Sequence, residues 1–152
     1  MTDHQQLIHT LTALMSRGEW SNLPAVMAAD AVLEFPQSGE IFRGIDNIRG
    51  QFADYPNMPQ GDVIAVEIVA DQPTYVLSPS YTVISVGASG RDGMATLRAR
   101  YPDGSFWWVL IVYATDGERL SGGKVYFAPE FEPPEWRTKY LDRSSRRTDG
   151  AR

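Results

Sequence analysis

The chain contains no cysteine. Disulfide scaffolding, thiolate nucleophiles and cysteine-built zinc sites are therefore excluded. Histidine is scarce too: His4 and His9 are the only two. Five residues apart in a predicted helix, they fall on different faces, which argues against a metal pair, and neither metal nor cofactor is expected. No apolar run approaches the ~20 residues of a membrane span, so no membrane partner is expected. Basic charge is sparse. The net charge is −5 and no basic stripe runs along the body, so nucleic acid is not an expected partner. The arginines of "RSSRRTDGAR" (143–152) read as a flexible tail rather than a binding arm. The opening "MTDHQQLIHTL" lacks the basic and long apolar regions of a signal peptide, and the expected location is the cytoplasm.

What remains is ordinary globular composition, 43% hydrophobic and 22% charged over 152 residues. One domain is expected, spanning residues 1–142. Leu7, Leu11, Leu14 and Met15 share a stripe, which predicts a helix over 3–17, capped by Asp3 or Thr2 and stopped at Gly18. A second helix is predicted from Ser21 to Ala29, with Leu23, Val26 and Met27 on its apolar face. "AVLEFPQSGEIFRG" reads as a hairpin. A turn centred on Ser38–Gly39 sets Phe35 opposite Phe42 and Glu34 opposite Arg43. "GIDNIRGQFADY" is a short helix with Asp46 at its cap. From "VIAVEIVA" (63–70) onward the pattern is strand-like, with Asp-Gly hairpin signals at Asp103–Gly104 and Asp116–Gly117. Helices first and an antiparallel meander after make an α+β fold.

The stretch Phe106–Tyr113 has eight residues and no charge, so it is apolar on both faces. Treating both Asp-Gly pairs as two-residue turns fixes its phase. Leu97, Ala99, Tyr101, Phe106, Trp108, Leu110, Val112, Val125 and Phe127 then point toward the helices, and Arg98, Arg100, Trp107, Val109, Ile111, Tyr113, Lys124 and Tyr126 point away. A one-residue slip in either turn inverts a strand. The outer face is too apolar for water. Either a second subunit or a local segment such as the C-terminal stretch covers it; the favoured cover is a two-fold homodimer built on Trp107, Val109, Ile111, Tyr113 and Tyr126.

Several strings resemble the SnoaL-like branch of the nuclear-transport-factor-2-like superfamily: "LEFPQSGEIFRGIDNIRG" (33–50), "LSPSYTVISV" (77–86), "RYPDGSFWWV" (100–109) and "KVYFAPEFEPPEWR" (124–137). The resemblance implies a cone-shaped curved antiparallel sheet packed on N-terminal helices, a cystatin-like α+β barrel with an internal pocket, in a homodimer packed sheet to sheet. It also implies a choice of chemistries, from polyketide cyclase and ketosteroid isomerase to epoxide hydrolase, dehydratase and non-catalytic binder. The family's catalytic places fall here on residues without catalytic groups. The isomerase base would stand at Phe35, the helix-one tyrosine donor near Leu11, and the cyclase or hydrolase aspartate at Val125.

The remaining candidates for chemistry are Glu34 as a displaced acid, His9 as an inward-facing base and Tyr101 as a hydroxyl donor. Glu34 reads equally as one half of a surface pair, His9 as an exposed helical residue and Tyr101 as a core tyrosine. "EPPEWR" reads as a turn before a helix start, with Trp136 anchoring the tail to the body. The expected pocket wall is Phe35, Tyr101, Phe106, Trp108, Val125 and Phe127, which suits a small hydrophobic or aromatic molecule. The alternative is a cofactor-free isomerase, cyclase or dehydratase of a polyketide- or terpene-like substrate, which requires a general base in the pocket.

Overall fold

The computed structural model describes residues 2–54, 66–69, 72–75, 80–101 and 103–142, with the backbone alone for 66–69, 72–75, 80 and 82. The expected tail over 143–152 and part of the expected strand over 63–70 lie outside the described residues.

Helix α1 covers His4–Ser16, and the Asp3 side chain caps it by accepting from the Gln6 N–H at 2.9 Å. Of its predicted stripe, Leu7, Leu11 and Leu14 lie in the core and Met15 is partly buried, while Ile8, outside that stripe, is fully buried. The predicted second helix is cut short. A single 3-10 stretch, Trp20–Ala25, buries Leu23, and the chain is already extended at Met27. Val26 and Met27 are buried as the entry to a strand, not as a helix face. Strands β1 (Met27–Phe35) and β2 (Glu40–Arg43) form the expected hairpin, and α2 (Ile45–Ala53) follows with Gly44, not Asp46, at its cap. Asp46 instead pairs with Arg49 within the first turns, at 2.6 Å. Strands β3 (Val66–Val69) and β4 (Gln72–Tyr75) pair with each other in a two-stranded sheet among the described residues. Then come β5 (Ser80–Ser89), β6 (Asp92–Arg100), β7 (Phe106–Thr115) and β8 (Leu120–Pro129).

The main sheet is curved, unclosed and ordered β2-β1-β8-β7-β6-β5. Its last four strands are an antiparallel meander, as expected, but β1 lies parallel to β8. The α+β fold with a curved sheet expected from the sequence is found, with this one parallel pair added. Local hairpin signals report only sequence neighbours, and this contact joins the first strand to the last. The helices pack on the inner, concave face. Leu33 of β1, Leu97 of β6, Val109 of β7 and Val125 of β8 complete the core there.

Three hairpins differ from their predicted registers. Leu33, not Phe35, stands opposite Phe42, because the connection holds four residues closed by bonds from the Ser38 and Gly39 N–H groups to Phe35 O. That shift is two residues, so Phe35 and Phe42 keep the same face and their rings meet at 5.1 Å. The connection from β6 to β7 has three residues, not two. Tyr101 faces Ser105, the Gly104 N–H closes on Tyr101 O, and Gly104 sits at φ +82°, a conformation glycine adopts without strain. The turn between β7 and β8 centres on Gly117–Glu118, and the register steps once more between Ala114 and Thr115. Both shifts are odd, so β7 is inverted relative to the prediction while β6 and β8 keep their faces. Val109, Ile111 and Tyr113 point in; Phe106, Trp108, Leu110 and Val112 point out.

Candidate functional site

Between α1, α2 and the concave face lies a cavity of about 60 Å³. Leu11, Thr12 and Met15 of α1 form its roof, with Phe52 of α2 beside them. The floor is made by side chains from successive strands: Val125 and Phe127 of β8, Val109, Ile111 and Tyr113 of β7, and Leu97 of β6. Phase explains the grouping. Val125 stands opposite Ile111, which stands opposite Ala95; Phe127 stands opposite Val109, which stands opposite Leu97. Each row therefore sends its side chains to the same side.

Among the described lining residues there is no Asp, Glu, His, Lys or Arg. The polar side chains in the wall belong to Thr12, Tyr81 and Tyr113. Thr12 Oγ1 is turned back onto its own helix, 3.0 Å from Ile8 O and 3.1 Å from His9 O. Tyr113 is 3% exposed. Its ring lies flat across the sheet over Gly93, its partner on β6; a Cβ on Gly93 would stand 2.3 Å from Cζ and 2.4 Å from the hydroxyl oxygen. The hydroxyl comes within 3.1 Å of His4 Nδ1, and His4 Nε2 lies 2.9 Å from Gly90 O. A carbonyl oxygen only accepts, so Nε2 carries the proton and donates to Gly90. In the neutral ring Nδ1 then accepts from the Tyr113 hydroxyl. Burial holds the Tyr113 phenol above its usual pKa.

Of the expected wall, Val125 and Phe127 line the cavity. Phe35 is half-buried and meets Phe127 edge-on at 5.1 Å, but it stands behind the wall. Tyr101 lies against Trp107 at 5.9 Å, at the margin of the core and outside the cavity. Phe106 and Trp108 are corrections: both are on the convex outer face. The Arg98 guanidinium covers Phe106 at 3.8 Å, and Trp108 is 36% exposed. The proposed outer residues Trp107, Val109, Ile111 and Tyr113 are likewise corrected to the inner face; Tyr126 does face outward. Glu34 is on the outer face too, and its partner is Lys124, its neighbour on β8, at 4.0 Å, rather than Arg43. His9 is half-buried and outside the wall. Glu34, His9 and Tyr101 therefore do not converge on the cavity. Trp136, expected to anchor the C-terminal segment, is 68% exposed.

The sequence reading missed Tyr113 and its partner His4. Gly93 and Gly123 flank Tyr113 on the two neighbouring strands. A large aromatic flanked by glycines was the available sign, legible only once the register is right. Among the described residues no three His, Asp or Glu side chains are grouped as metal ligands.

Comparison with known proteins agrees with this architecture. The model of the SnoaL-like domain matches residues 8–122. An NTF-2 like protein of unknown function from Burkholderia xenovorans LB400 superposes with a TM-score of 0.68 at 16% identity, over 91% of this chain and 93% of its own. A protein with a ketosteroid isomerase-like fold from Catenulispora acidiphila, crystallised with trimethylamine, gives 0.58 at 15% identity, over 84% and 88%. A LEH-like epoxide hydrolase from M. tuberculosis gives 0.55 at 15% identity, over 80% of each chain. These identities speak for the fold alone. No curated protein matches the chain significantly. The curved sheet, the helices on its concave face and the match over most of the length place this chain in the SnoaL-like domain family.

Proposed function

We propose that the protein holds a small, largely apolar molecule between α1 and the concave sheet. The observation that carries this reading is the wall itself. It is aliphatic and aromatic, its polar groups are hydroxyls, and no described lining residue ionises near neutral pH. Such a surface gains from excluding water and gives a charged ligand nothing to pair with. The cavity volume of about 60 Å³ is below the ~150 Å³ of an apolar cavity that takes up benzene. Uptake of anything larger than a few atoms therefore requires the wall to move. Met15 and Met27 are the side chains suited to it, since thioethers repack at low cost.

The alternative, a cofactor-free isomerase, cyclase or dehydratase, needs a base at the ligand, and the described wall supplies none. The LEH-like epoxide hydrolase is an enzyme on a similar fold, but the acids that the family resemblance would put at Phe35 or Val125 are absent here.

Native mass spectrometry of the freshly purified protein, followed by titration with indole, tests the binding reading. Expected are a retained neutral molecule or saturable indole binding abolished by Ile111→Trp, which fills the floor. A protein that carries nothing and binds no indole, with Ile111→Trp indistinguishable from the parent, would overturn it.

We also propose that the convex face pairs with a second copy of the chain, on residues that, Tyr126 apart, differ from those expected from the sequence. One row across the sheet runs Ile41, Glu34, Lys124, Val112, Met94, and the next ones carry Tyr126 and Trp108. Ile41, Met94 and Val112 are 52%, 50% and 43% exposed. Exposed apolar side chains of this kind around the Glu34–Lys124 pair, rimmed by Arg98 and Arg100, have the make-up of an interface.

A further inference from the structure

Beyond Pro129 the chain changes character. Residues 130–142 form an arm with one short 3-10 stretch, Glu135–Tyr140, none of whose residues is buried. Yet the arm is not polar. Phe131 is 70% exposed, Trp136 68%, Tyr140 75% and Leu141 44%. Segments that stay in water are poor in aromatics, because such side chains gain nothing there. Arg137 stacks on Trp136 and Lys139 on Tyr140, at 5.2 and 5.0 Å. Pro133 and Pro134 stiffen the stem, which lowers the entropy lost when the arm is fixed in place.

The arm has a defined point of departure. The Glu130 N–H donates to Phe106 O at 3.1 Å, extending the sheet by one bond. The Glu130 carboxylate accepts from Arg98 Nε at 2.8 Å, and the two side chains are only 9% and 15% exposed. Arg98 in turn lies on the Phe106 ring at 3.8 Å. Arg98, Phe106 and Trp108 all belong to the convex face. The arm is thus tied by a sheltered ion pair to the same face that carries the exposed Met94, Trp108 and Val112.

We propose that the arm, Phe131–Leu141, lies across the convex face of a second copy of this chain, and that the second copy returns its own arm in the same way. Two facts select this occupant. The arm and the exposed face are continuous through Glu130, Arg98 and Phe106, as a two-fold exchange requires. The areas also fit. An aromatic side chain offers roughly 150–250 Å², so three of them at this exposure contribute on the order of 300–500 Å². A standard interface takes about 800 Å² from each partner, more than the arm supplies alone, so the exposed face has to contribute the rest.

The proposal rests on the face-to-face pairing above, and the experiment separates the two. Sedimentation equilibrium is run on the full chain, on Val112→Arg, and on the triple variant Phe131→Ala, Trp136→Ala, Tyr140→Ala. The arm residues are exposed, so circular dichroism of the triple variant should match the parent. Expected is a dimer whose dissociation constant rises about 30-fold or more in the triple variant, the loss of one to two interface hot spots. Val112→Arg is expected to weaken it as well. The absence of native cysteine adds a direct readout: Trp136→Cys and Met94→Cys proteins, purified apart and mixed under oxidation, should give the mixed disulfide. A parent dimer broken by Val112→Arg but untouched by the triple variant, with no mixed disulfide, overturns the arm and leaves the face pairing standing. A monomeric parent overturns both.

Discussion

Tyr113 is the residue on which the floor of the cavity turns. Its ring fits because Gly93 offers no Cβ, and its hydroxyl is satisfied because His4 reaches down from the first turn of α1. Gly93→Ala should destabilise the fold by about 1–3 kcal/mol, the range for forcing a group into a packed site. Pairing it with Tyr113→Leu should recover part of that loss, and a double-mutant cycle from urea unfolding measures the coupling. Tyr113→Phe keeps the ring and loses the bond to His4, at a cost of about 0.5–1.5 kcal/mol. The phenol also carries a pH signature. Its pKa is raised in the folded state, so the native protein holds the proton more tightly than the unfolded chain does. The stabilisation is complete below the unfolded value near 10 and is lost as pH rises through the folded one. Unfolding midpoints between pH 9 and 11 should therefore fall less steeply for Tyr113→Phe than for the parent.

At the scale of elements, the phase of β7 decides what the cavity is made of. Ile111→Ala should cost about 2–4 kcal/mol by thermal or urea unfolding, because it removes floor atoms and leaves the space. The same change should strengthen indole binding, since the cavity it leaves is larger. Gln37 offers a second test. Its side-chain amide donates to Phe127 O at 2.8 Å and accepts from the Phe127 N–H, as a neighbouring strand would. Gln37→Ala should cost about 1–2 kcal/mol, measured by unfolding, for two bonds made by one side chain.

The same strand shows how far the sequence can be read. That α1 would bury Leu7, Leu11 and Leu14, that Asp3 or Thr2 would cap it, and that β6 and β8 would each send a defined face inward all follow from local pattern. The inversion of β7 does not. Two hairpins agreed on its phase, but each prediction was off by an odd number of residues, so their agreement carried no independent weight. "YPDGS" gave a hint: a proline ahead of Asp-Gly suits a type I turn followed by a left-handed glycine, which makes a three-residue loop. The step between Ala114 and Thr115 gave none, because a bulge is set by strand twist and contacts rather than by a residue type. Hence Val125 and Phe127 were legible as wall, and Ile111 and Tyr113 were not.

For the whole molecule, ligand uptake should appear as stability. A ligand that binds only the folded state at 100 times its dissociation constant adds about 2.7 kcal/mol, so indole should raise the unfolding midpoint of the parent and not that of Ile111→Trp. Among the described residues no helix is long and apolar enough to cross a membrane, and burial of the floor belongs to the core of the fold.

The placement of β1 between β2 and β8 also has a consequence for how the chain is made. On a ribosome, β1 and β2 emerge early, but one edge of β1 has no neighbour until β8 has been synthesised, almost a hundred residues later. Until then Leu33 and Phe35 sit on an open strand edge, the kind of surface that recruits other chains. Nascent or truncated forms that end before Leu120 should therefore depend on chaperones for their solubility in a way the finished protein does not.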